Sequence, residues 1–238
     1  MSYLILVRHG QSVWNLEKKF TGWVDVDLTE NGKLEAKKAG ELIKTKNINI
    51  DIYYSSIQLR AKNTLKLIKQ ILEDSKISKE AWQLNERHYG ALTGLNKDEM
   101  KKKLGEKKVH EFRRSWNIAP EPLSKNNPYH PINIETYKNV PHQNIPDTES
   151  LKDTYDRVFP YFKKEILTKL VKKKNILISA HGNSLRAICK YLFNLKDDEI
   201  SKLEIPTGNP LFIEFDNNNK IKNCKYLDQD RAKDLIAF

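Results

Sequence analysis

The sequence predicts an α/β fold with a mostly parallel central sheet flanked by helices. Three observations predict it. Short apolar runs rich in β-branched residues alternate with segments of helical periodicity, the pattern of strands joined by helical crossovers. The 238 residues, 39% of them hydrophobic, suffice for one sizeable core. Two of the apolar runs end in a His-Gly pair, which places the same side-chain chemistry at two strand ends.

The run Tyr3-Leu4-Ile5-Leu6-Val7 reads as a buried first strand over about 3–8. It is too short for a signal peptide and lacks a small-residue cleavage site. A helix follows over about 30–45, with Thr29 as its N-cap and Ala36, Ala39, Gly40 and Ile43 on one face. Ile52-Tyr53-Tyr54 forms a short second strand, and Ile57, Ala61, Thr64, Leu65, Ile68 and Leu72 mark the next helix. Another begins at Asp147-Thr148 and carries Leu151, Tyr155, Val158, Phe159, Phe162 and Ile166; Pro160 is expected to kink or break it. Asn175 to Ser179 reads as a buried strand, followed by a helix over about 183–194. Leu211 to Phe215, the Asn217-Asn218-Asn219 turn and Ile221 to Leu227 close the fold as a hairpin. The expectation is a single catalytic domain over 1–238, with no internal repeat. Residues 117–146 hold Pro120, Pro122, Pro128, Pro131, Pro141 and Pro146, and read as an insertion near the active site. A short C-terminal tail starts at about 229.

The formal net charge of +11 would concentrate anionic partners around the chain. Runs such as Lys101-Lys102-Lys103 and Lys172-Lys173-Lys174 have the look of solvated faces, however, so charge alone selects no partner. No run approaches the roughly 18 apolar residues of a membrane span, and cytoplasmic residence is the expectation. Cys189 shares a helical stripe with Leu185, Ile188 and Leu192 and reads as a buried structural thiol; Cys224 has nothing near it in sequence that marks it as reactive. Their spacing suggests neither a zinc site nor a disulfide. With no HExxH, P-loop or carboxylate cluster at metal spacing, no metal ligand is assigned.

Three short constellations carry chemistry. Arg8-His9-Gly10-Gln11-Ser12 stands where the first strand should end, and ligands of open α/β sheets collect beyond the carboxyl ends of their strands. A histidine there can present a lone pair to phosphorus, the adjacent arginine can neutralise phosphoryl oxygens, and Gly10 should let the backbone approach the ligand closely. Ser179-Ala180-His181-Gly182-Asn183-Ser184 repeats the arrangement at a second strand end, with a helix start that favours an anion. Ser55-Ser56-Ile57-Gln58-Leu59-Arg60-Ala61 brings Arg60 to the same sheet edge, as a third cationic group around one phosphate.

These residues resemble the histidine phosphatase superfamily. Longer segments narrow the resemblance to its phosphoglycerate mutase branch, which depends on 2,3-bisphosphoglycerate. They are Val7 to Asn15, Phe20-Thr21-Gly22-Trp23, Leu84 to Leu92, Gly94-Leu95-Asn96-Lys97, Arg113-Arg114, Ala180 to Arg186 and Ile205-Pro206-Thr207-Gly208. The match spans nearly the whole chain, to about residue 228. It implies a three-layer α/β sandwich, 2,3-bisphosphoglycerate as priming phosphate donor, no metal and phosphoglycerates as small-molecule partners; relatives of this fold vary in oligomeric state, and a homodimer is the expectation.

Carried over position by position, the resemblance makes His9 the phosphorylated nucleophile and Glu86 the acid–base group. It assigns Arg8, Arg60 and His181 to the transferring phosphoryl group, with Asn15 and Asn183 as polar contacts. Thr21 and Gly22 border the substrate, and Tyr89, Lys97, Arg113 and Arg114 grip its other phosphate and its carboxylate. Gly10, Gln11, Ser12, Arg87, His88 and Gly182 join them as substrate-binding positions inside the same motifs. On the residues alone, His88, like His110, His130 and His142, has no setting comparable to that of His9. The poorly matching end, Asp230 to Phe238, leaves the balance of mutase and phosphatase activity open.

A phosphoryl group in transfer spreads charge over three oxygens, which two arginines and a protonated His181 would stabilise. His9 must attack as neutral imidazole, its other nitrogen held by an acceptor such as a backbone carbonyl. Two rival readings stand beside this one. A phosphatase of the same superfamily would pass the group to water, and Lys97, Arg113 and Arg114 argue against so small a substrate. A nucleic-acid-binding protein on an inactive fold would account for the charge, but aromatic and basic residues are not interleaved as such binding requires.

Overall fold

The computed structural model describes residues 1–232. Six strands form one sheet: β1 (Ser2–Arg8), β2 (Ile52–Ser55), β3 (Ser78–Glu80), β4 (Ile176–Ala180), β5 (Leu211–Phe215) and β6 (Ile221–Tyr226). Their order is β3-β2-β4-β1-β5-β6; the first four run parallel, and β5 and β6 each run antiparallel to the preceding strand. The helices are α1 (Val13–Leu16), α2 (Glu30–Lys44), α3 (Leu59–Leu72), α4 (Lys97–Leu104), α5 (Glu106–Arg114), α6 (Leu151–Tyr161), α7 (Thr168–Val171), α8 (Gly182–Leu192) and α9 (Asp197–Lys202).

The central strands are apolar throughout because both faces are covered. Leu4, Leu6, Ile176 and Ile178 pack with Leu151 and Val158 of α6 and Leu185 and Ile188 of α8. The alternate residues Ile5, Val7 and Leu177 pack with Ala39 and Ile43 of α2 and Leu65 and Ile68 of α3. A helix–sheet–helix sandwich results, as the sequence predicts.

Most element boundaries follow their caps. Thr29 accepts the Gly32 N–H at 3.0 Å, and Ala36, Ala39, Gly40 and Ile43 are the buried stripe of α2. The helix expected from Asp147-Thr148 begins instead after Ser150. Ser150 Oγ accepts the Asp153 N–H at 3.1 Å while the Asp153 carboxylate accepts the Ser150 N–H at 2.8 Å, a reciprocal cap, whereas the Thr148 hydroxyl is turned to Pro120 O, to which it donates at 2.7 Å. Pro160 does not break this helix. Pro160 lies within α6, and the chain widens into a π-helical segment, Phe162–Leu167, immediately after it, with Phe162 and Ile166 buried. Ile57 precedes α3 and packs beside Trp23, Tyr137 and Val140 rather than along the helix stripe.

The segment 117–146 is shaped by three short turns, Pro131–Asn133, Glu135–Tyr137 and His142–Asn144. Tyr137 anchors it, buried and donating to Trp23 O while accepting from Gln58 Nε2 at 2.9 Å. Residues 233–238 of the expected tail lie outside the described residues. Among the described residues, no helix is long and apolar enough to cross a membrane.

Candidate active site

The site grows from the register of two adjacent strands. Arg8 of β1 pairs with Ala180 of β4, and the His9 N–H donates to Ala180 O at 3.0 Å. Both chains therefore leave the sheet side by side, and the His9 and His181 ring centroids stand 5.0 Å apart at 59°. On the other side of β4, β2 delivers Ser56, whose Oγ lies 2.7 Å from His181 Nε2. Gly10 is required for a reason other than the one the sequence suggested: a Cβ there would meet Gly32 O at 2.1 Å, so the close approach is to α2, not to a ligand. Gly182 is different. A Cβ on it would face Arg8 Nε at 3.6 Å and Glu86 Oε2 at 3.8 Å, space the protein itself leaves open between a cation and a carboxylate.

Hydrogen bonding fixes the imidazole tautomers. His9 Nδ1 lies 2.7 Å from Gly10 O, which can only accept, so the proton sits on Nδ1 and the lone pair on Nε2. Ser56 Oγ accepts the Gln58 N–H at 3.3 Å, and among the described residues His181 Nε2 is the one acceptor for its O–H, so the hydroxyl donates there and the proton of His181 sits on Nδ1. That nitrogen is buried and without a partner. Burial, then Arg60 and Arg8, push the His9 pKa well below the ordinary histidine value, against a smaller opposing effect of Gly10 O. Burial, Arg60, His9 and Arg8 do the same to His181. Both rings are neutral near pH 7, which suits His9 as a nucleophile and corrects the expectation of a protonated His181. A single buried N–H on Nδ1, not an imidazolium, is what His181 has to offer.

Arg8 donates through Nη1 to Ile205 O at 2.9 Å, and its buried Nε has no partner. Arg60, 1% exposed, gives Nη1 to Val24 O and Nη2 to Gly22 O at 2.9 and 2.8 Å. Its charge faces both histidines while its terminal nitrogens hold the loop at Gly22, whose φ is +54°. Glu86 is buried with its two oxygens in different settings. Oε1 accepts the Arg87 N–H at 2.8 Å, the Asn183 N–H at 3.2 Å and Asn183 Nδ2 at 2.8 Å, whereas Oε2 lies 3.8 Å from where a Gly182 Cβ would stand. A side-chain salt bridge to Arg87, the bland reading of Glu86, is not what forms: the Arg87 guanidinium donates to Phe112 O at 2.6 Å and covers the Tyr89 ring at 4.6 Å.

Farther from His9, burial raises the Tyr89 pKa, but Arg87 and Arg113 outweigh it and bring the phenol down to about 8. Burial lowers Lys97 to about 8, with Tyr89 opposing and Arg113 and Arg8 adding to the shift. Arg114 pairs with Glu204, leaving its buried Nη1 without a partner, as are Nε and Nη1 of Arg87 and Oγ1 of Thr21.

The remaining predicted positions take structural bonds. Ser12 caps α1 through Asn15, whose side-chain oxygen accepts the Ser12 N–H at 3.2 Å, and Gln11 Oε1 accepts from Thr29 at 2.9 Å. His88 is wholly buried, accepts the Gly90 N–H at 2.9 Å and faces the His130 ring, 6.1 Å away. Sequence reasoning did not single out Ser56 or Gln58 as site residues, although both stand in the segment quoted for Arg60. Gln58 Oε1 accepts the Glu86 N–H at 2.9 Å and its Nε2 donates to Gly22 O at 3.1 Å. Among the described residues, no group of three or more His, Cys, Asp or Glu side chains is placed to hold a metal ion.

Comparison with known proteins bears on this geometry. A protein from Pelagibacter ubique named 2,3-bisphosphoglycerate-dependent phosphoglycerate mutase is 69% identical to the chain over 238 residues, covering 100% of both. One of the same name from a Caulobacter species is 50% identical over 100% of the chain and 99% of its own length. A solved structure, titled mycobacterial hydrolase 1, superposes with a TM-score of 0.71 at 18% identity, covering 94% of the chain and 96% of its own; that likeness concerns the fold. The family model described as histidine phosphatase superfamily, branch 1, matches residues 4–127 and 124–224. The chain belongs to the histidine phosphatase superfamily.

Proposed function

We propose that this chain is a phosphoglycerate mutase, interconverting 3-phosphoglycerate and 2-phosphoglycerate through a phosphohistidine on His9, with 2,3-bisphosphoglycerate as primer. The names of its full-length relatives support the reading. One observation carries it: buried nitrogens without partners belong to Arg8 and His181 around His9 and to Arg87 and Arg114 beyond Glu86. Orphaned buried donors are costly unless a ligand completes them. Two cationic groups flanking one carboxylate suit a short acid with a phosphate at each end. Such a bisphosphate, when bound, supplies the phosphoryl group that primes His9.

The chain's own residues do the rest. His9 Nε2 attacks phosphorus, the bond from phosphorus to the ester oxygen breaks, and Glu86 Oε2 gives that oxygen its proton. In the reverse sense Glu86 takes the proton of the acceptor hydroxyl. Arg8, Arg60 and His181 Nδ1–H counter the charge on the transferring group. Tyr89, Lys97, Arg87, Arg113 and Arg114 hold the far end of the substrate. The segment 117–146 acts as a cover that limits hydrolysis within a single catalytic domain; Tyr129 sets its ring edge-on to Trp14, 5.3 Å away. Cytoplasmic residence and a homodimer complete the reading.

A coupled assay tests it: 3-phosphoglycerate should yield 2-phosphoglycerate, with strong stimulation by catalytic 2,3-bisphosphoglycerate. Free phosphate as the main product would replace the mutase with a phosphatase.

A further inference from the structure

Glu86 stands on a loop, and loops hold catalytic groups accurately only when something fixes their backbone. Here that element is Arg157 on α6, which belongs to none of the motifs. All five of its N–H donors are engaged. Nε and Nη2 grip the Glu149 carboxylate at 2.8 and 2.9 Å. Nη1 donates to Gln83 O at 2.8 Å and Asn85 O at 3.1 Å, and Nη2 to Glu86 O at 3.1 Å. Glu149 in turn accepts the His88 N–H at 2.8 Å, while its own N–H donates to His88 O at 3.0 Å. The two side chains are only 9% and 4% exposed. One buried ion pair thus holds the backbone on both sides of Glu86.

We infer that Arg157, locked by Glu149, is a positioning residue that holds Glu86 Oε2 at the leaving oxygen and so sets how well poor leaving groups are protonated. The inference rests on the reading of Glu86 as proton donor and acceptor. The fit is specific to guanidinium: a planar fork with five donors meets three carbonyls and a carboxylate, which the three donors of a lysine cannot do. No atom of Arg157 need touch substrate. Its effect travels through the Glu86 carbonyl, while Oε1 stays tied to Arg87 N–H and Asn183.

The test compares two phosphoryl donors in single-turnover phosphorylation of His9 in the full-length protein. With 2,3-bisphosphoglycerate the departing alkoxide needs a proton as the P–O bond breaks. With 4-nitrophenyl phosphate the phenolate leaves as a stable anion and needs none. Arg157→Lys should slow labelling from 2,3-bisphosphoglycerate by about 100-fold, the scale of an ångström-sized misplacement. It should leave labelling from 4-nitrophenyl phosphate within about threefold, and Glu86→Gln should show the same selectivity. The ratio of the two rates does not depend on the fraction of folded protein. Should Arg157→Lys not fold at all, Glu149→Gln keeps the shape of the partner, removes its charge and should shift the ratio in the same direction. Selective loss in Glu86→Gln with equal slowing of both donors in the Arg157 or Glu149 variant overturns the positioning role. Equal slowing in Glu86→Gln takes down the reading of Glu86, and the inference with it.

Discussion

His9 and His181 stand with ring centroids 5.0 Å apart, His9 Nδ1 bonded to Gly10 O and His181 Nδ1 buried without a partner. The first should carry the phosphoryl group and the second only stabilise it. His9→Ala should abolish the base-stable, acid-labile label left by a phosphorylated donor. His181→Ala should retain the label but form it about 100- to 1,000-fold more slowly, as when one preorganised donor is lost. Quenched single-turnover labelling checks both.

Gly10 and Gly182 should fail in opposite ways. Gly10→Ala drives a methyl to 2.1 Å from Gly32 O, backbone that cannot yield cheaply, so stability should fall by about 1–3 kcal/mol or more. Gly182→Ala has contacts no closer than 3.6 Å, and its melting should change by less than about 0.5 kcal/mol. Its methyl enters the space between Arg8 and Glu86, however, and turnover should drop roughly tenfold or more. Thermal melts alongside mutase assays separate the two.

Tyr89 and Lys97, each brought to about 8, influence one another and should titrate as a pair. Raising the pH through 8 deprotonates the phenol to an anion and discharges the ammonium. Both changes oppose an anionic substrate, so KM should climb several-fold per pH unit above about 8 with kcat less affected. Tyr89→Phe should flatten part of that rise. KM measured from pH 7 to 10, with phenolate absorbance followed in parallel, checks it.

Acid should destabilise the fold through its buried imidazoles. His88 is pushed down to about 3, by burial first and then by His130, and His9 and His181 are also lowered. The unfolded chain takes up protons near the ordinary value of about 6.5, while the folded chain does not. Stability is therefore complete above that value and falls as the pH drops below it, by about 1.4 kcal/mol per pH unit for each such histidine. Urea denaturation at pH 7, 6 and 5 should show the slope, and His88→Gln should reduce it by one histidine's share.

The sandwich was legible because its strands and its helices α2, α3, α6 and α8 carry regular apolar patterns. The lysine-rich helices α4 and α5 were not, since each has one buried residue, Met100 and Val109 respectively. Nor could periodicity tell Ser150 from Thr148 as a cap, because the choice rests on the reciprocal bonds that Ser150 makes with Asp153. In the site, the residues that stand at strand ends or beside them (Arg8, His9, Arg60, His181) could be read from the chain. The charge state of His181 could not, because it follows from burial and from the arginines around it. Arg157 stayed invisible for a similar reason: it acts on backbone carbonyls, which leave no mark on sequence.

The pairing of Arg8 with Ala180 has a wider consequence. Adjacent strands are held about 4.8 Å apart by their ladder, so the gap between the two imidazoles is a property of the sheet, not of the polypeptide that separates them. Everything between those two strand ends can lengthen, shorten or change its contacts without retuning the distance over which phosphorus is exchanged. The surroundings of the reaction are thereby free to diverge, while its central spacing is inherited unchanged.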